Sequence, residues 1–504
     1  MRTFLKNFSS LMVGNIFQLA VGFVFSLVLV QKLSADQFGF QSTIVAFANA
    51  VMSLSYMDVF NIGLREFARH PDDQLQVYRT LLSYHLVLSV IVGGTSALVP
   101  LLLNSFPGPQ FVVFLLGMFT LVTSYAPIAP TEALLITRGK IGRVVVLQST
   151  YAALVTILGI AILLTGGGVA QIYVALSLLS VIMIIVYLLV LRQVLPGGLK
   201  LIIDPKAWKF YLKEGLPGGL SGFFVLMARS IGTFLMYTYL SHAGAIFQPS
   251  LFSKIGAFGS YTFVSHAEAS YLGIAYMLLS ALLSVCWVPF AVSILPVLAR
   301  LFVRAAQDMT WLGSRSLTWM LAATLPIALG TMLLAPGIVG VLGADKLPAA
   351  PTLRIFIWVL PLTVISEIGY RILLVSRQQR FYLAAAALGA ALNVILCVVL
   401  IPLYGVLGAA LATVIGVGVI ALCCLWKLRN WLLPHIRPAD TLRLAAGLVG
   451  MTLAVEATDG LSVFVRIGAG GLVYGAIVFG MGLFNLNDWH TARKLMAVDA
   501  TPQS

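Results

Sequence analysis

Long apolar runs, separated by short polar segments, fill the sequence from about residue 8 to residue 484. Each run is long enough to cross about 30 Å of hydrocarbon as a helix of roughly 20 residues. The alternation over about ten residues that marks membrane barrel strands is not the pattern of these runs. The sequence therefore predicts an all-α integral membrane protein, because a helix satisfies its own backbone hydrogen bonds in lipid. The pattern predicts fourteen transmembrane helices, at 8–31, 41–62, 80–103, 110–130, 144–165, 170–191, 215–240, 270–297, 316–342, 353–375, 382–401, 405–426, 442–457 and 462–484.

Composition supports lipid as the solvent. The chain has 504 residues, of which 60% are hydrophobic and only 10% are charged, and a soluble domain could not cover that much apolar surface. The first apolar run is too long for the core of a signal peptide, so we expect it to be a retained first span.

Basic residues predict the orientation. The N-terminus, the loops after even-numbered spans and the C-terminus hold 25 of the 31 Lys and Arg residues, when Arg371 at the end of span ten is included. The positive-inside rule then places both termini in the cytoplasm of a multi-pass protein of the cytoplasmic (inner) membrane. The net charge of +14 follows from this bias, and its spread over short loops gives no reason to expect a nucleic-acid partner.

Loop motifs recur between the two halves of the chain. SADQFGFQ after span one matches EASYLGIA after span seven at an offset of 234 residues, and Gly168 matches Gly405 at an offset of 237. Both copies have the same orientation, which predicts a parallel repeat. We therefore expect a six-helix lobe at 1–213, a second at 214–430, and two additional helices with a cytoplasmic tail at 431–504.

The second half carries extra residues on the outer face. KNFSSLMVGN and KEGLPGGLSG, which begin the two halves, are separated by 207 residues rather than 234. The difference of 27 residues corresponds to a Gly-rich, aromatic and nearly uncharged segment at about 242–268. It is interpreted either as an interfacial hairpin or periplasmic lid, or as an inert variable loop.

Span seven contains one arginine, Arg229, in the otherwise apolar or small stretch FFVLMARSIGTFLMY. Polar and small residues recur around it at helical spacing, and the equivalent face of span one has a similar stripe. The stripe residues are Asn15, Gln18, Gly22 and Ser26 in span one, and Gly218, Ser221, Gly222, Arg229, Gly232 and Thr233 in span seven. We expect the two stripes to line one central cavity, with Asn15, Gln18, Ser221 and Thr233 as substrate-binding residues.

An arginine at the middle of a membrane helix costs about 2.5–3.5 kcal/mol on insertion scales, so it needs a role. Its planar fork of donors suits a phosphate, which predicts that Arg229 holds the phosphate of an anionic substrate. The alternative is a structural ion pair with Asp58 or Glu367.

Two further sets of charged residues are candidates for a functional role. Asp58, Arg65, Arg69 and Arg79 lie at the predicted inner mouth, where they would attract an anionic headgroup or would simply be solvated loop charges. Glu367 and Arg371 are one turn apart in span ten, as a helix-stabilising pair or as a proton-coupling site.

Catalytic chemistry is not predicted. The sequence has no P-loop, no HExxH motif and no serine, cysteine or carboxylate constellation, and its four cysteines lie in apolar runs without metal-ligand spacing. We therefore predict a protein that is not an enzyme, with no cofactor and no metal site.

Several stretches together resemble Wzx-type oligosaccharide-lipid flippases, the polysaccharide branch of the multidrug/oligosaccharidyl-lipid/polysaccharide exporter superfamily. They are FLKNFSSLMVGNIFQLAVGFVFSLVLVQKLSADQFGFQS, MDVFNIGLREFAR, ASYLGIAY and LLVSRQQRFYLAAAALGAALNVILCVVLIPLYGVLGAALAT, and the likeness covers roughly residues 1–427. The resemblance implies two six-helix lobes and a cationic central cavity, in which Arg229 takes the role of the pyrophosphate-binding arginine.

The resemblance also implies the activity. The substrate would be an undecaprenyl-pyrophosphate-linked oligosaccharide, moved from the cytoplasmic to the periplasmic leaflet by alternating access for O-antigen or exopolysaccharide assembly. A polysaccharide polymerase and a chain-length regulator are the implied protein partners, beside membrane lipids.

Two rival functions remain open at this point. A multidrug antiporter of the same superfamily would need a buried acid in its cavity, and span one offers Asn15 and Gln18 instead. A membrane glycosyltransferase or polysaccharide polymerase would need a large periplasmic catalytic loop, whereas the segment at 242–268 has only Lys254 and Glu268 as Lys, Arg, Asp or Glu residues.

Overall fold

The fold is described from a computed structural model of the chain. It describes residues 2–102, 106, 108–194, 200–242, 266–287, 306–483 and scattered positions at 290–302 and 485–491. Nearly all of the predicted insertion at 242–268 lies outside the described residues.

The described chain is helical. Its first ten α-helices are α1 (Arg2–Lys32), α2 (Ala35–Tyr56), α3 (Val59–Arg69), α4 (Gln74–Leu102), α5 (Pro109–Leu121), α6 (Ile128–Thr137), α7 (Ile141–Leu164), α8 (Val169–Val194), α9 (Pro205–His242) and α10 (His266–Cys286). The next seven are α11 (Ala306–Leu342), α12 (Ala350–Phe356), α13 (Val359–Val375), α14 (Gln379–Tyr404), α15 (Val406–Leu432), α16 (Pro438–Ala457) and α17 (Val463–Gly480).

Thirteen candidate spans in the described residues are long and apolar enough to cross a membrane. The thirteenth predicted span, at 442–457, corresponds to α16, a 20-residue helix outside that set. Asp440 and Arg443 near its start and Glu456 near its end lower its hydropathy. Large apolar side chains such as Leu102 (82% exposed) and Leu472 (77% exposed) face outward, as expected for a surface solvated by lipid.

Three predicted spans are broken rather than continuous. Span two divides into α2 and α3 at Met57 and Asp58, which both adopt left-handed backbone angles. Span four divides into α5 and α6, with Pro127 and Pro130 at the start of α6, where a missing N–H does not interrupt the helix ladder. Span ten divides into α12 and α13.

Helix bounds follow the repeat seen in the sequence. α7 and α14 begin at Ile141 and Gln379, and α8 and α15 begin at Val169 and Val406, close to the offset of 237 residues. The third sequence-equivalent pair, α1 and α9, differs in length because α9 extends to His242.

By internal contacts the chain divides into two compact units. Unit one comprises Met1–Gly273 with Val394–Ala409, and unit two comprises Ile274–Asn393 with Ala410–Ser504. In unit one, α1 packs mainly on α7 and α9 mainly on α2, whereas in unit two α16 packs mainly on α17. The lobe boundaries at residues 213 and 430 concern the sequence repeat and stay a prediction.

Candidate functional site

Arg229 lies in the middle of α9 within unit one, with its side chain half-buried. Its Nε atom is enclosed, yet the guanidinium makes no hydrogen bond and no ion pair with any described residue. The flanking residues are fully packed: Ala228 is buried, and Ser230 donates to the carbonyl oxygens of Leu226 and Ala46. A well-packed segment of helix therefore presents a cation that has no counter-charge among the described residues.

The proposed structural partner in the same unit does not pair with Arg229. Asp58 accepts a hydrogen bond from Asn61 instead, at 2.5 Å. The ion-pair alternative with Asp58 is therefore not supported by the geometry.

The small residues around Arg229 serve a different purpose from the expected one. Ser53 of α2 donates to the carbonyl of Gly219, and a Cβ atom on Gly222 would lie 2.1 Å from the Ser53 hydroxyl. A Cβ atom on Gly215 would lie 2.0 Å from the Met57 carbonyl oxygen. These glycines allow close approach of α9 to α2, as small residues do between membrane helices.

The remaining polar residues of this stripe are largely enclosed. Ser221 and Thr233 are buried, and the Ser221 hydroxyl makes no hydrogen bond with a described residue. Neither residue is in the lining of the cavity that includes Gln18, and the expectation that both stripes line one cavity stays a prediction.

The stripe on α1 instead faces a cavity inside unit one. The cavity has a volume of about 260 Å³ and is lined by residues of α1, α6, α7, α8 and the turn before α6. Its lining residues are Gln18, Gly22, Phe25, Tyr125, Ile128, Glu132, Gln148, Tyr151, Ala152, Val155, Thr156, Met183 and Tyr187. Asn15, which is half-buried, and Arg229 are not among them.

The charged residue of this cavity is Glu132, on α6 and only 7% exposed. Its Oε1 atom accepts hydrogen bonds from the Gln148 amide at 2.9 Å and from the Tyr187 hydroxyl at 2.6 Å. Sequence reasoning missed Glu132 because span four was predicted to end at residue 130. The two prolines resemble a helix end, but they stand at the start of α6, which continues to Thr137.

The basic residues near the α2–α3 break are already paired. Arg65 contacts Glu214 at 3.0 Å and Glu66 at 3.5 Å, and Arg69 contacts Glu66 at 3.1 Å. Arg79 lies half-buried on α4. The Arg65–Glu214 pair is exposed, and exposed ion pairs contribute only about 0–1 kcal/mol, so Arg65 could exchange Glu214 for a phosphate at small cost.

In unit two, Glu367 and Arg371 do not form the predicted ion pair. The Arg371 guanidinium lies over the Trp287 ring, with Cζ 5.5 Å from the ring centroid, and its Nε atom makes no hydrogen bond with a described residue. Stacking on an aromatic face is a stable position for arginine, so it competes with the helical spacing that predicted the pair.

Unit two also contains a buried ion cluster that sequence reasoning did not identify. Arg315 of α11 is 2% exposed, donates to Asp440 of α16 and lies 3.8 Å from Asp488. Arg443 contacts Asp440 at 2.9 Å, and Arg437 donates to both oxygens of Asp488 at 3.1 and 3.2 Å. The cluster fastens α16 to α11.

Comparison with known proteins identifies the family and the fold. The family described as "Polysaccharide biosynthesis protein" matches residues 4–302, more than half of the chain. A search of curated proteins found no match to the chain.

Two solved structures share the fold. The lipid II flippase MurJ in an inward closed conformation is 16% identical, with a TM-score of 0.68, over 94% of this chain and 98% of MurJ. An inward-facing multidrug resistance MATE family transporter of the MOP superfamily is 16% identical, with a TM-score of 0.57, over 84% of this chain and 95% of the transporter. The chain thus shares the fold of these two membrane transporters.

Proposed function

The chain belongs to the polysaccharide biosynthesis protein family, and from this membership we propose that it flips polyprenyl-pyrophosphate-linked oligosaccharides across the cytoplasmic membrane. The headgroup moves from the cytoplasmic to the periplasmic leaflet by alternating access. The fold shared with a lipid II flippase supports a lipid-linked substrate for this chain as well.

The observation that carries the proposal is that the Arg229 guanidinium has no ion pair with a residue that the structure describes. A permanent cation in a membrane helix costs about 2.5–3.5 kcal/mol on insertion scales, and no described carboxylate offsets this cost. A pyrophosphate supplies the missing charge and matches the planar donor fork with two oxygens at once. Arg229 is therefore the residue proposed to hold the phosphate.

The other predicted residues take supporting roles. Ser221 and Thr233 flank Arg229 on α9, and Asn15 and Gln18 on α1 offer amides to sugar hydroxyls. Arg65, Arg69, Arg79 and Asp58 are proposed to admit the headgroup at the cytoplasmic side, while the polyprenyl tail stays in lipid.

The alternating-access scheme also indicates a driving force for translocation and the protein partners that receive the product. With both termini in the cytoplasm, a membrane potential negative inside favours outward movement of an anion by about 2.3 kcal/mol per charge per 100 mV. A polysaccharide polymerase and a chain-length regulator are the proposed partners that receive the flipped unit.

Arg229→Ala tests the phosphate role. We expect translocation of a fluorescent lipid-linked oligosaccharide into proteoliposomes to fall at least about tenfold, which corresponds to about 1.4 kcal/mol of lost interaction. Arg229→Lys should keep part of the rate, because it retains the charge but loses the fork. Arg192→Ala, at an exposed arginine of α8, is the matched control. Wild-type rates for properly inserted Arg229→Ala would refute the role.

A second function is favoured by one observation: the cavity that includes Gln18 does contain a buried acid, Glu132. A multidrug antiporter needs such an acid, and the fold is shared with a MATE family transporter. Efflux of an organic cation such as ethidium from proteoliposomes distinguishes the two functions. Export that depends on Glu132 and not on Arg229 would favour the antiporter.

A further inference from the structure

The cavity around Glu132 has the features of a binding site rather than of a packing defect. Its carboxylate enters from α6, and α7 and α8 each supply a donor that holds it in place. Tyr151 also lines the cavity and shares a hydrogen bond of 3.1 Å with Ser180. The volume of about 260 Å³ has room for several water molecules, and the amide and hydroxyl groups in its lining can bind them beside apolar side chains.

Glu132 has no cationic partner among the described residues. The titratable groups that face it are tyrosines: Tyr187 from α8, Tyr151 from α7, Tyr125 before α6 and Tyr56 at the end of α2.

The charged and titratable groups of the other packed helices are engaged elsewhere. His85 of α4 packs edge-on to Tyr56, and Tyr78 of α4 shares a hydrogen bond with Thr131. Arg65 and Arg69 of α3 pair with Glu66. On α6 itself, Arg138 donates to Gln74 and to the carbonyl of Val194. A carboxylate enclosed without a cation is costly, so binding of a positive species is strongly favoured at this position.

We propose that Glu132 is a reversible proton-binding site and that Gln18 of α1 detects whether the proton is present. The site lies apart from Arg229, so the proposal goes beyond the phosphate role and does not depend on it. In the protonation step one O–H bond forms on a Glu132 carboxyl oxygen while one O–H bond of a hydronium ion breaks, which leaves a neutral water molecule.

The donors around the carboxylate favour a proton over a sodium ion. Gln148 and Tyr187 both direct hydrogens at Oε1, whereas a metal ion requires several oxygens directed at it. The two donors stabilise the charged carboxylate, whereas enclosure without a cation favours the neutral acid, so a proton can be both bound and released.

Gln18 is placed to respond to this proton. Its Nε2 atom is enclosed but has no hydrogen-bond partner among the described residues, and its side chain lines the same cavity. Both bonds to Glu132 end on Oε1, and no described residue donates to Oε2. A charged Oε2 attracts the Gln18 amide, and protonation releases it. Because α1 packs mainly on α7, attraction or release of the Gln18 amide changes how firmly α1 is held against the neighbouring helices.

The first experiment measures protonation directly. Infrared difference spectra of the purified full-length protein in lipid nanodiscs, recorded as a function of pH, separate a neutral carboxylic acid from a carboxylate. We expect a titrating acid band in the wild type that is lost in Glu132→Gln and retained in Glu456→Gln, a matched change at an exposed carboxylate of α16. An unchanged band in Glu132→Gln would overturn the proposal.

Two further measurements test the Glu132 site, one on the Tyr187→Phe variant and one with sodium. If Glu132→Gln fails to fold, Tyr187→Phe keeps the carboxyl and should alter the pH at which the band appears, and no alteration would count against the site. A spectral change produced by sodium at constant pH, and absent in Glu132→Gln, would overturn the proton in favour of a sodium ion.

The role of Gln18 is tested by hydrogen exchange. Backbone amide exchange depends on pH by itself, and this intrinsic dependence is removed first. After the correction, we expect the exchange rates of the α1 amides still to depend on pH in the wild type. This dependence should be lost in Gln18→Leu, although the acid band remains. Persistence of the dependence in Gln18→Leu would refute the coupling while leaving the proton site intact.

Discussion

Arg229 in unit one and Arg315 in unit two are two arginines in apolar surroundings with opposite environments. Arg315 is enclosed by Asp440 and Asp488, and those aspartates are bound by further arginines. Arg229 has no partner among the described residues. The comparison shows the environment of a structural arginine in this protein, which is surrounded by compensating carboxylates. Arg229 does not meet that description, which favours a ligand as its counter-ion.

The largest expected effect lies at the buried cluster. Arg315→Met leaves two buried aspartates short of a partner, and breaking a buried pair typically costs about 3–5 kcal/mol. We expect a large loss of thermal stability in detergent for Arg315→Met, and a smaller one when Asp440 is replaced by Asn in the same chain. Equal losses in the single and double variants would show that the cluster does not act as a unit.

An intermediate effect is expected where α9 approaches α2. Gly215→Ala would place a Cβ atom 2.0 Å from the Met57 carbonyl oxygen, so the helices must shift. Overpacking of this kind typically costs about 1–3 kcal/mol. Gly94→Ala, in α4 with open space around the added atom, is the control in the same thermal assay. If both variants melt alike, the glycines of α9 are not required for close packing.

The smallest effect on stability is expected at Arg229. Arg229→Met removes a cation that makes no ion pair with a described residue, so thermal stability should stay unchanged or rise, while translocation falls. A stability loss as large as that of Arg315→Met would show that Arg229 is a structural arginine after all, and the contrast between the two residues would no longer hold.

Helix number and family likeness were predictable because they depend on local pattern. Runs of about 20 apolar residues identify spans wherever they occur, and the repeat offset of 237 residues agrees with the starts of α7, α8, α14 and α15. The break at Met57 and Asp58 was not predictable, since aspartate tolerates the left-handed conformation but methionine rarely adopts it.

The candidate site was only partly predictable. Gln18 and Arg229 stand out as polar groups in apolar helices, but helical spacing says nothing about which helix a stripe faces. Gly222 was interpreted as cavity lining, although a Cβ atom there would lie 2.1 Å from the Ser53 hydroxyl of α2. Glu367 and Arg371 have the spacing of an ion pair, yet Trp287 provides the contact that Arg371 makes.

The sequence by itself determined a multi-span helical membrane protein, its internal repeat and the isolated position of Arg229, because hydrophobicity and charge act locally along each helix. Only the tertiary structure decided that Glu132 shares a cavity with Gln18 and that Arg315 is enclosed by two aspartates. These side chains are more than 100 residues apart in the chain, and only the packing of separate helices brings them together.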